Sequence, residues 1–164
     1  MAFKGELYVE GPEGALEGPR ENKSSNVYEF SHEVSLPYDT EQNLPQGSRR
    51  LTAFTLTKDI DKLTPTLYQY CCNGTLLPKV TIVLYKIKDA MEVPYFNYTL
   101  ENVRIVSVKN YMPSTKYEAN ADVGHLEEIK FLANTFTWNN EVGETGKEGG
   151  LQTYTEENPF ADAA

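Results

Sequence analysis

One strong helix signature, set among segments that alternate as β-strands do, constrains the fold of this chain most. It lies within residues 55–86, TLTKDIDKLTPTLYQYCCNGTLLPKVTIVLYK. Pro65 suits the first turn of a helix, because its missing N–H has no partner there. Thr64 before it is a good N-cap, and Gly74 suits the left-handed residue that ends a helix. We therefore expect a single helix packed against a β-domain.

The predicted helix covers residues 65–73 and presents one apolar face. Leu67, Tyr68, Cys71 and Cys72 recur at helical spacing and are expected to form the face that packs on the β-domain. The chain has only two cysteines, and they are adjacent, so we expect packing residues and not a strained disulfide. The residues assigned to this structural helix are Thr64, Pro65, Leu67, Tyr68, Cys71 and Gly74.

Alternating apolar and polar residues predict the strands. The segments that alternate, or that are rich in β-branched and aromatic residues, are 3–10, 27–36, 50–58, 80–86, 93–100 and 127–138. The pair 80–86 and 93–100 forms a hairpin around Lys88-Asp89-Ala90. These elements predict a mainly β fold: an antiparallel β-barrel of two packed sheets with one short α-helix on its side and long loops.

A change of phase interrupts the alternation after residue 100. Leu100 is apolar at an even position, whereas Val103 and Ile105 are apolar at odd positions. This pattern predicts a β-bulge near Glu101 and Asn102, or a strand covered on both faces.

Composition excludes several classes of function. The net charge is −9 and no basic stripe is present, so we expect no nucleic-acid partner. Apolar runs are too short for a membrane span, and the start of the chain has no signal-peptide pattern. We find no nucleophile elbow, phosphate loop or metal-ligand cluster, and so expect no enzyme, cofactor or metal. His32 is expected to be a core histidine hydrogen-bonded to a neighbour, with His125 too distant to form a metal pair.

Four motifs in order resemble the Hcp family, the haemolysin-coregulated proteins of type VI secretion systems. The first is the turn and helix pattern K-x-x-D-K-x-(S/T)-P-x-L with a later Gly and P-x-V. Its members here are Lys58, Asp61, Lys62, Thr64, Pro65, Leu67, Gly74, Pro78 and Val80. The other three are FSHEVSLP at 30–37, YTLENVRIVSV at 98–108 and FTWNN at 136–140.

The resemblance implies a structural subunit of the type VI secretion inner tube. Family members form homo-hexameric rings that stack and are expelled with effector cargo, so the implied partners are further copies, the tip, the sheath and secreted effectors. The protein would be made in the cytoplasm and exported by type VI secretion without a signal peptide. A phage-type tail-tube protein, which shares the fold, and a monomeric secreted binding module remain as alternatives.

A long polar loop is the candidate assembly element. It is longer than a hairpin needs, and two prolines lower the entropy lost on docking. In Hcp relatives the corresponding loop reaches a neighbouring subunit. The assigned residues are Pro37, Tyr38, Asp39, Thr40, Glu41, Gln42, Asn43, Leu44, Pro45, Gln46, Gly47, Ser48 and Arg49.

Composition divides the chain at residue 140. Residues 1–140 form the Hcp-like barrel domain, and residues 141–164 form an acidic tail with six acidic side chains and one basic one. Its net charge of −5 and its glycines predict flexibility. Leu151, Tyr154 and Phe160 are exceptions within this tail, because their apolar side chains are suited to docking.

Overall fold

The computed structural model describes residues 4–140 and 153–157, which form twelve strands, one α-helix and one 3-10 turn. The helix α1 is Thr64–Asn73, and the 3-10 turn is Glu118–Asn120. The strands are β1 (Lys4–Gly11), β2 (Gly14–Ala15), β3 (Ser25–Ser31), β4 (Val34–Ser35), β5 (Tyr38–Asp39), β6 (Leu44–Pro45), β7 (Arg50–Leu51), β8 (Phe54–Asp59), β9 (Leu77–Lys88), β10 (Met91–Tyr111), β11 (Leu126–Asn140) and β12 (Thr153–Glu157). Among these residues, no helix is long and apolar enough to cross a membrane.

Six antiparallel strands close into a barrel in the order β10-β9-β1-β3-β8-β11, with β11 pairing back to β10. Closure leaves no free edge along most of the sheet. The pairing between β8 and β11 is incomplete. β8 pairs only with residues 126–131 of β11, and residues 135–139 of β11 pair with β12 instead. The mainly β prediction is confirmed, and α1 lies against β10. Because β12 extends this sheet, residues 153–157 of the predicted tail lie on the barrel, while the rest of that tail is outside the described residues.

The barrel interior is filled by one face of each strand. Strand alternation places every second side chain inward, so the buried apolar residues fall at spacings of two within a strand. The largest fully buried apolar side chains are Phe54, Phe131, Leu7, Leu56, Leu67, Leu77, Ile82, Leu100 and Ile129. Three aromatic rings pack together near the end of β3. Phe30, Phe54 and Tyr98 are in mutual contact, with ring centroids 5.1–5.6 Å apart.

The change of phase in β10 is real, but it is not a bulge at the predicted place. Leu100 and Val103 are both fully buried. The pairs Glu101–Thr135 and Val103–Ala133 nevertheless keep one register. Asn102 absorbs the change with a left-handed backbone, φ 52°.

The neighbouring strands change phase at the same level, and this explains the constant register. In β9 the buried positions pass from Leu77 to Val80, and in β11 they pass from Ala133 to Phe136. Because all three strands shift together, no extra residue is needed in any one of them. Register shifts occur instead between Ile105 and Ser107 against β11, and between Pro94 and Phe96 against β9.

The helix ends as predicted and begins differently. Gly74 has φ 62° and terminates the helix. The prediction that Thr64 is the N-cap is wrong, because Leu63 takes that position and Thr64 is the first helical residue. The Thr64 hydroxyl accepts a hydrogen bond from the Asp61 N–H at 3.1 Å and donates one to Glu127 Oε2 at 2.9 Å.

The packed face of α1 also differs from the predicted one. Leu63 and Leu67 are buried, and Tyr70 and Cys71 pack against the core. Tyr68 is 37 % exposed, and Cys72 is exposed as well, so neither belongs to the packed face. Successive residues of an α-helix are rotated by about 100° around the helix axis. The side chain of Tyr68, the residue after Leu67, therefore points well away from the buried face on which Leu67 lies.

A fully buried ion pair joins the helix start to the barrel. Lys58 in β8 and Glu127 in β11 are both inaccessible to solvent, and Lys58 Nζ lies 2.5 Å from Glu127 Oε1. Lys58 also contacts Asp61 Oδ2 at 3.0 Å and donates to the Asp59 carbonyl at 3.0 Å. Asp61 in turn accepts from the Ser25 hydroxyl. These contacts offset the cost of burying the charges.

We predict that truncating Leu67 costs far more stability than truncating Tyr68. Leu67→Ala leaves a cavity at a fully buried site and should lower the free energy of unfolding by about 2–5 kcal/mol. The matched control Tyr68→Ala changes an exposed side chain and should cost about 0.5 kcal/mol or less. Chemical denaturation measures both values. Equal losses would mean that the helix packs through a different face.

A second prediction concerns the buried lysine. Lys58→Met leaves Glu127 buried without its cation and should lower the free energy of unfolding by about 3–5 kcal/mol. The control Lys62→Met removes an exposed lysine of the same segment and should change stability little. Adding Glu127→Leu to Lys58→Met should recover part of the loss, because the fully buried carboxylate is then removed and only Asp61, which still accepts from the Ser25 hydroxyl, loses its cation. A double variant as unstable as the sum of its parts would contradict a direct pairing.

Candidate assembly surface

The chain between β3 and β8 forms a two-stranded projection, here called the arm (residues 32–53). Two short ladders build it: β4 pairs with β7 beside the barrel, and β5 pairs with β6 farther out. The predicted assembly loop, residues 37–49, therefore forms the outer part of a ribbon and not an irregular loop. Ladders of two residue pairs are weak on their own, so other contacts must orient the arm.

Asp39 organises the turn at the end of the arm. Its Oδ1 accepts a hydrogen bond from the Glu41 N–H at 2.8 Å, and its carbonyl accepts from the Asn43 N–H at 2.8 Å. Asn43 itself has φ 55°, a left-handed conformation that asparagine tolerates. An aspartate in this role mimics one turn of backbone, which is why the polar sequence folds back here.

The arm exposes several large apolar side chains, although most of its residues are polar. All residues from 40 to 50 are exposed. Four large apolar residues of the arm are about half exposed or more: Val34, Leu36, Tyr38 and Leu44. Because Tyr38 pairs with Pro45 and Asp39 pairs with Leu44, Tyr38 and Leu44 lie on opposite faces of the outer ladder. Exposed apolar side chains on both faces favour contacts with other proteins, because leaving them in water is unfavourable.

His32 fixes the base of the arm. Its Nε2 donates a hydrogen bond to the Thr52 carbonyl at 3.1 Å, and its ring stacks on Phe136 at a centroid distance of 4.8 Å. The Thr52 hydroxyl donates to the Glu33 carbonyl and accepts from the Glu33 N–H, both at 3.0 Å. The expected hydrogen bond is therefore confirmed, but His32 is only partly buried and is not a core residue. Burial lowers the pKa of His32, and the hydrogen bond to Thr52 opposes this effect only partly.

A second buried charge holds the loop after β2 on the outside of the barrel. Glu6 faces outward from β1, as the alternation predicts, yet it is only 2 % exposed. Burial raises the pKa of Glu6, but the hydrogen bonds that it accepts outweigh burial and leave this pKa below its usual value. Its contacts, all between 2.8 and 3.3 Å, come from Tyr85, Tyr8, Asn22, Lys4 and Arg20.

Sequence reasoning missed both buried charges, although one signal was present. Lys58 shares the inward phase of Leu56, and Glu127 shares that of Ile129. A positive and a negative residue on the inward faces of two strands predict a buried pair once those strands are neighbours. For Glu6 no such signal exists, because it lies on the outward face of β1 and is covered by the loop that contains Arg20 and Asn22, which the alternation of the strand does not reveal.

Comparisons with known proteins agree with this architecture. The family model described as "Type VI secretion system effector, Hcp" matches residues 7–139. The Major exported protein of Pseudomonas aeruginosa is 35% identical over 120 residues, which cover 73% of this chain and 70% of that protein.

Solved structures of this kind share the fold. The Hcp1 protein of the E. coli EAEC 042 pathovar is 28% identical with a TM-score of 0.77, over 95% of this chain and 99% of that chain. The secreted protein Hcp3 from Pseudomonas aeruginosa has a TM-score of 0.70 over 95% of this chain and 98% of that chain. Its 23% identity supports the likeness of fold alone.

We predict that His32 makes the protein less stable in mild acid. Because burial lowers the pKa of His32, the unfolded chain takes up this proton at a higher pH than the folded chain. Stability is therefore complete above the unfolded pKa of about 6.5 and falls as the pH drops toward the folded pKa. Urea unfolding at pH values from about 7 to 5 measures this loss.

His32→Gln should remove that part of the pH dependence. His125→Gln is the matched control, because this exposed histidine is the only other one in the chain. Glu33 and Lys130 are the other charged residues that line the same depression as His32. Identical pH profiles for His32→Gln and the wild-type chain would rule out His32 as the titrating group.

Proposed function

The chain belongs to the Hcp family of type VI secretion system proteins, and from this premise we propose that it is a structural subunit of the inner tube. Six copies form a ring, and rings stack into a tube that is expelled with effector cargo bound in the lumen. The tip and sheath components are its other partners. The protein reaches the medium or the target cell by type VI secretion.

The exposed apolar arm is the observation that carries the assembly part of this proposal. A ring requires a heterologous interface, in which one patch of a subunit meets a different patch of the next. Such an interface needs on the order of 1,000 Å² of buried surface. The apolar side chains of the arm, with Tyr38 63 % exposed and Leu44 57 % exposed, provide surface that becomes buried on a neighbour.

The reach of the arm suits a contact beyond its own barrel. Each side of the ribbon contains about eight residues, which span about 25 Å at the rise of a β-strand. We assign residues 37–49 to a contact with a neighbouring subunit in the same ring or the next ring. Cargo binding in the lumen gains from repetition, because weak contacts on six copies act together.

Two alternatives give different outcomes in solution. A phage-type tail-tube protein has the same architecture, and the match of the type VI family model favours the secretion system over it. A monomeric secreted binding module would remain at 18.5 kDa at all concentrations. Mass photometry combined with negative-stain microscopy separates this monomer from open-centred rings.

We predict that the purified protein forms rings of six 18.5 kDa subunits, and that the arm strengthens their assembly. Deleting residues 40–46 should leave the barrel folded and weaken rings or stacks, because the outer ladder is lost. Tyr38→Ser with Leu44→Ser should act in the same direction through lost apolar contact. Mass photometry over a dilution series measures the effect.

Gln42→Ala is the control for these variants, because it alters an exposed polar side chain of the same arm. It should assemble as the wild-type chain does. Unchanged ring and stack formation after the deletion would reduce the arm to a simple connection between β3 and β8.

A further inference from the structure

One side chain, Arg49, joins the arm to the C-terminal strand. Its Nε donates to Glu156 Oε1 at 2.5 Å, and its Nη2 donates to the carbonyl oxygen of Glu157. Both partners belong to β12, more than a hundred positions away in sequence. The guanidinium fork can donate in two directions at once, which a lysine ammonium on this geometry cannot reproduce.

Arg49 acts at the least regular part of the arm. It precedes β7 and follows Gly47, whose φ of 83° is a conformation suited to glycine. The inner ladder begins at Arg50 and the outer ladder ends at Pro45, so residues 46–49 form a joint between them, crossed by one backbone hydrogen bond from the Gln46 N–H to the Pro37 carbonyl at 2.6 Å. A joint of this kind lets the outer ladder change direction unless another contact restrains it.

The strand that holds Arg49 is itself fixed to the barrel. Tyr154 stacks on Trp138 at a centroid distance of 5.8 Å, and the hydroxyl groups of Thr137 and Thr155 lie 3.1 Å apart. The Tyr154 hydroxyl donates to Glu156 Oε2 and orients the carboxylate toward Arg49. This hydrogen bond and Arg49 lower the pKa of Glu156, so the carboxylate is ionised at neutral pH.

We propose that Arg49 is a positioning residue through which β12 sets the direction of the arm. The barrel holds β12 through β11, β12 holds Arg49, and Arg49 restrains the joint at residues 46–49. Strand β12 thereby controls how the arm is presented to a neighbouring subunit. This consequence for assembly rests on the proposed function, whereas the restraint itself is a property of one protomer.

Distances between spin labels test the restraint in the full chain. One label is placed at the end of the arm through Gln42→Cys and the other on the barrel through Lys109→Cys, with Cys71 and Cys72 changed to Ser. Excess unlabelled protein keeps labelled copies apart in any ring. Arg49→Lys and Glu156→Gln should each broaden the measured distance distribution, because the carboxylate contact and its orientation are lost. The matched control Arg50→Lys, one residue later, should leave the distribution unchanged.

Salt gives an independent readout of the same contact. Near 1 M salt the screening length falls to about 3 Å, which weakens an exposed ion pair. The wild-type distribution should then broaden toward that of Arg49→Lys, which should itself respond little. A wild-type distribution that is insensitive to both salt and Arg49→Lys would overturn the proposal.

An engineered disulfide distinguishes loss of the Arg49 restraint from detachment of β12 from the barrel. Thr137→Cys with Thr155→Cys lies at paired positions whose hydroxyl groups touch, so it locks β12 onto β11. In this locked chain Arg49→Lys should still broaden the distribution, and a lost effect would contradict the role of Arg49. Failure of the wild-type chain to form rings would count against the proposed function alone, because the label distances are read within one protomer.

Discussion

The buried pair of Lys58 and Glu127 is the interaction on which the arrangement of this structure depends. Two charges without solvent access are tolerated only when each has close partners, so β8 and β11 cannot slip in register without leaving a charge unpaired. The same pair contacts Asp61 and Thr64, which places the start of α1 against the barrel. The arm leaves the barrel through β8, and its position therefore depends on this register.

Charge clusters attach three segments that the barrel hydrogen bonds do not hold. Closure of six strands satisfies the backbone of the sheet but leaves the loop after β2, the start of α1 and the joint of the arm outside it. Glu6 binds the first of these, Lys58 with Asp61 the second, and Arg49 with Glu156 the third. The first two involve buried residues and the third is partly exposed, so the arm is the segment whose attachment depends most on salt.

Local signals in the sequence were enough for the longer strands and the helix, but not for the short strands β2, β5, β6 and β12 or for the contacts between elements. Alternation predicted the longer strands and Gly74 predicted the end of the helix. The hairpin expected around Lys88-Asp89-Ala90 turns at Asp89 and Ala90, whose φ values are 52° and 62°. The role of Thr64 was mispredicted because its hydroxyl is used by Glu127, a residue 63 positions away. The contact between Arg49 and β12 is likewise invisible to patterns, since it joins two segments that only the barrel brings together.

The arm combines apolar surface with restrained direction, and this combination is what repeated assembly requires. A free ribbon with exposed Tyr38 and Leu44 would lose orientational freedom each time it docked, and that entropy would oppose every contact in a ring. His32 at the base and Arg49 at the joint remove part of that freedom within the protomer. In the proposed ring the same contact is repeated around the axis, so a small saving at each arm would be multiplied over the assembly. Under that proposal, restraint of the arm favours association in addition to the apolar area that the arm exposes.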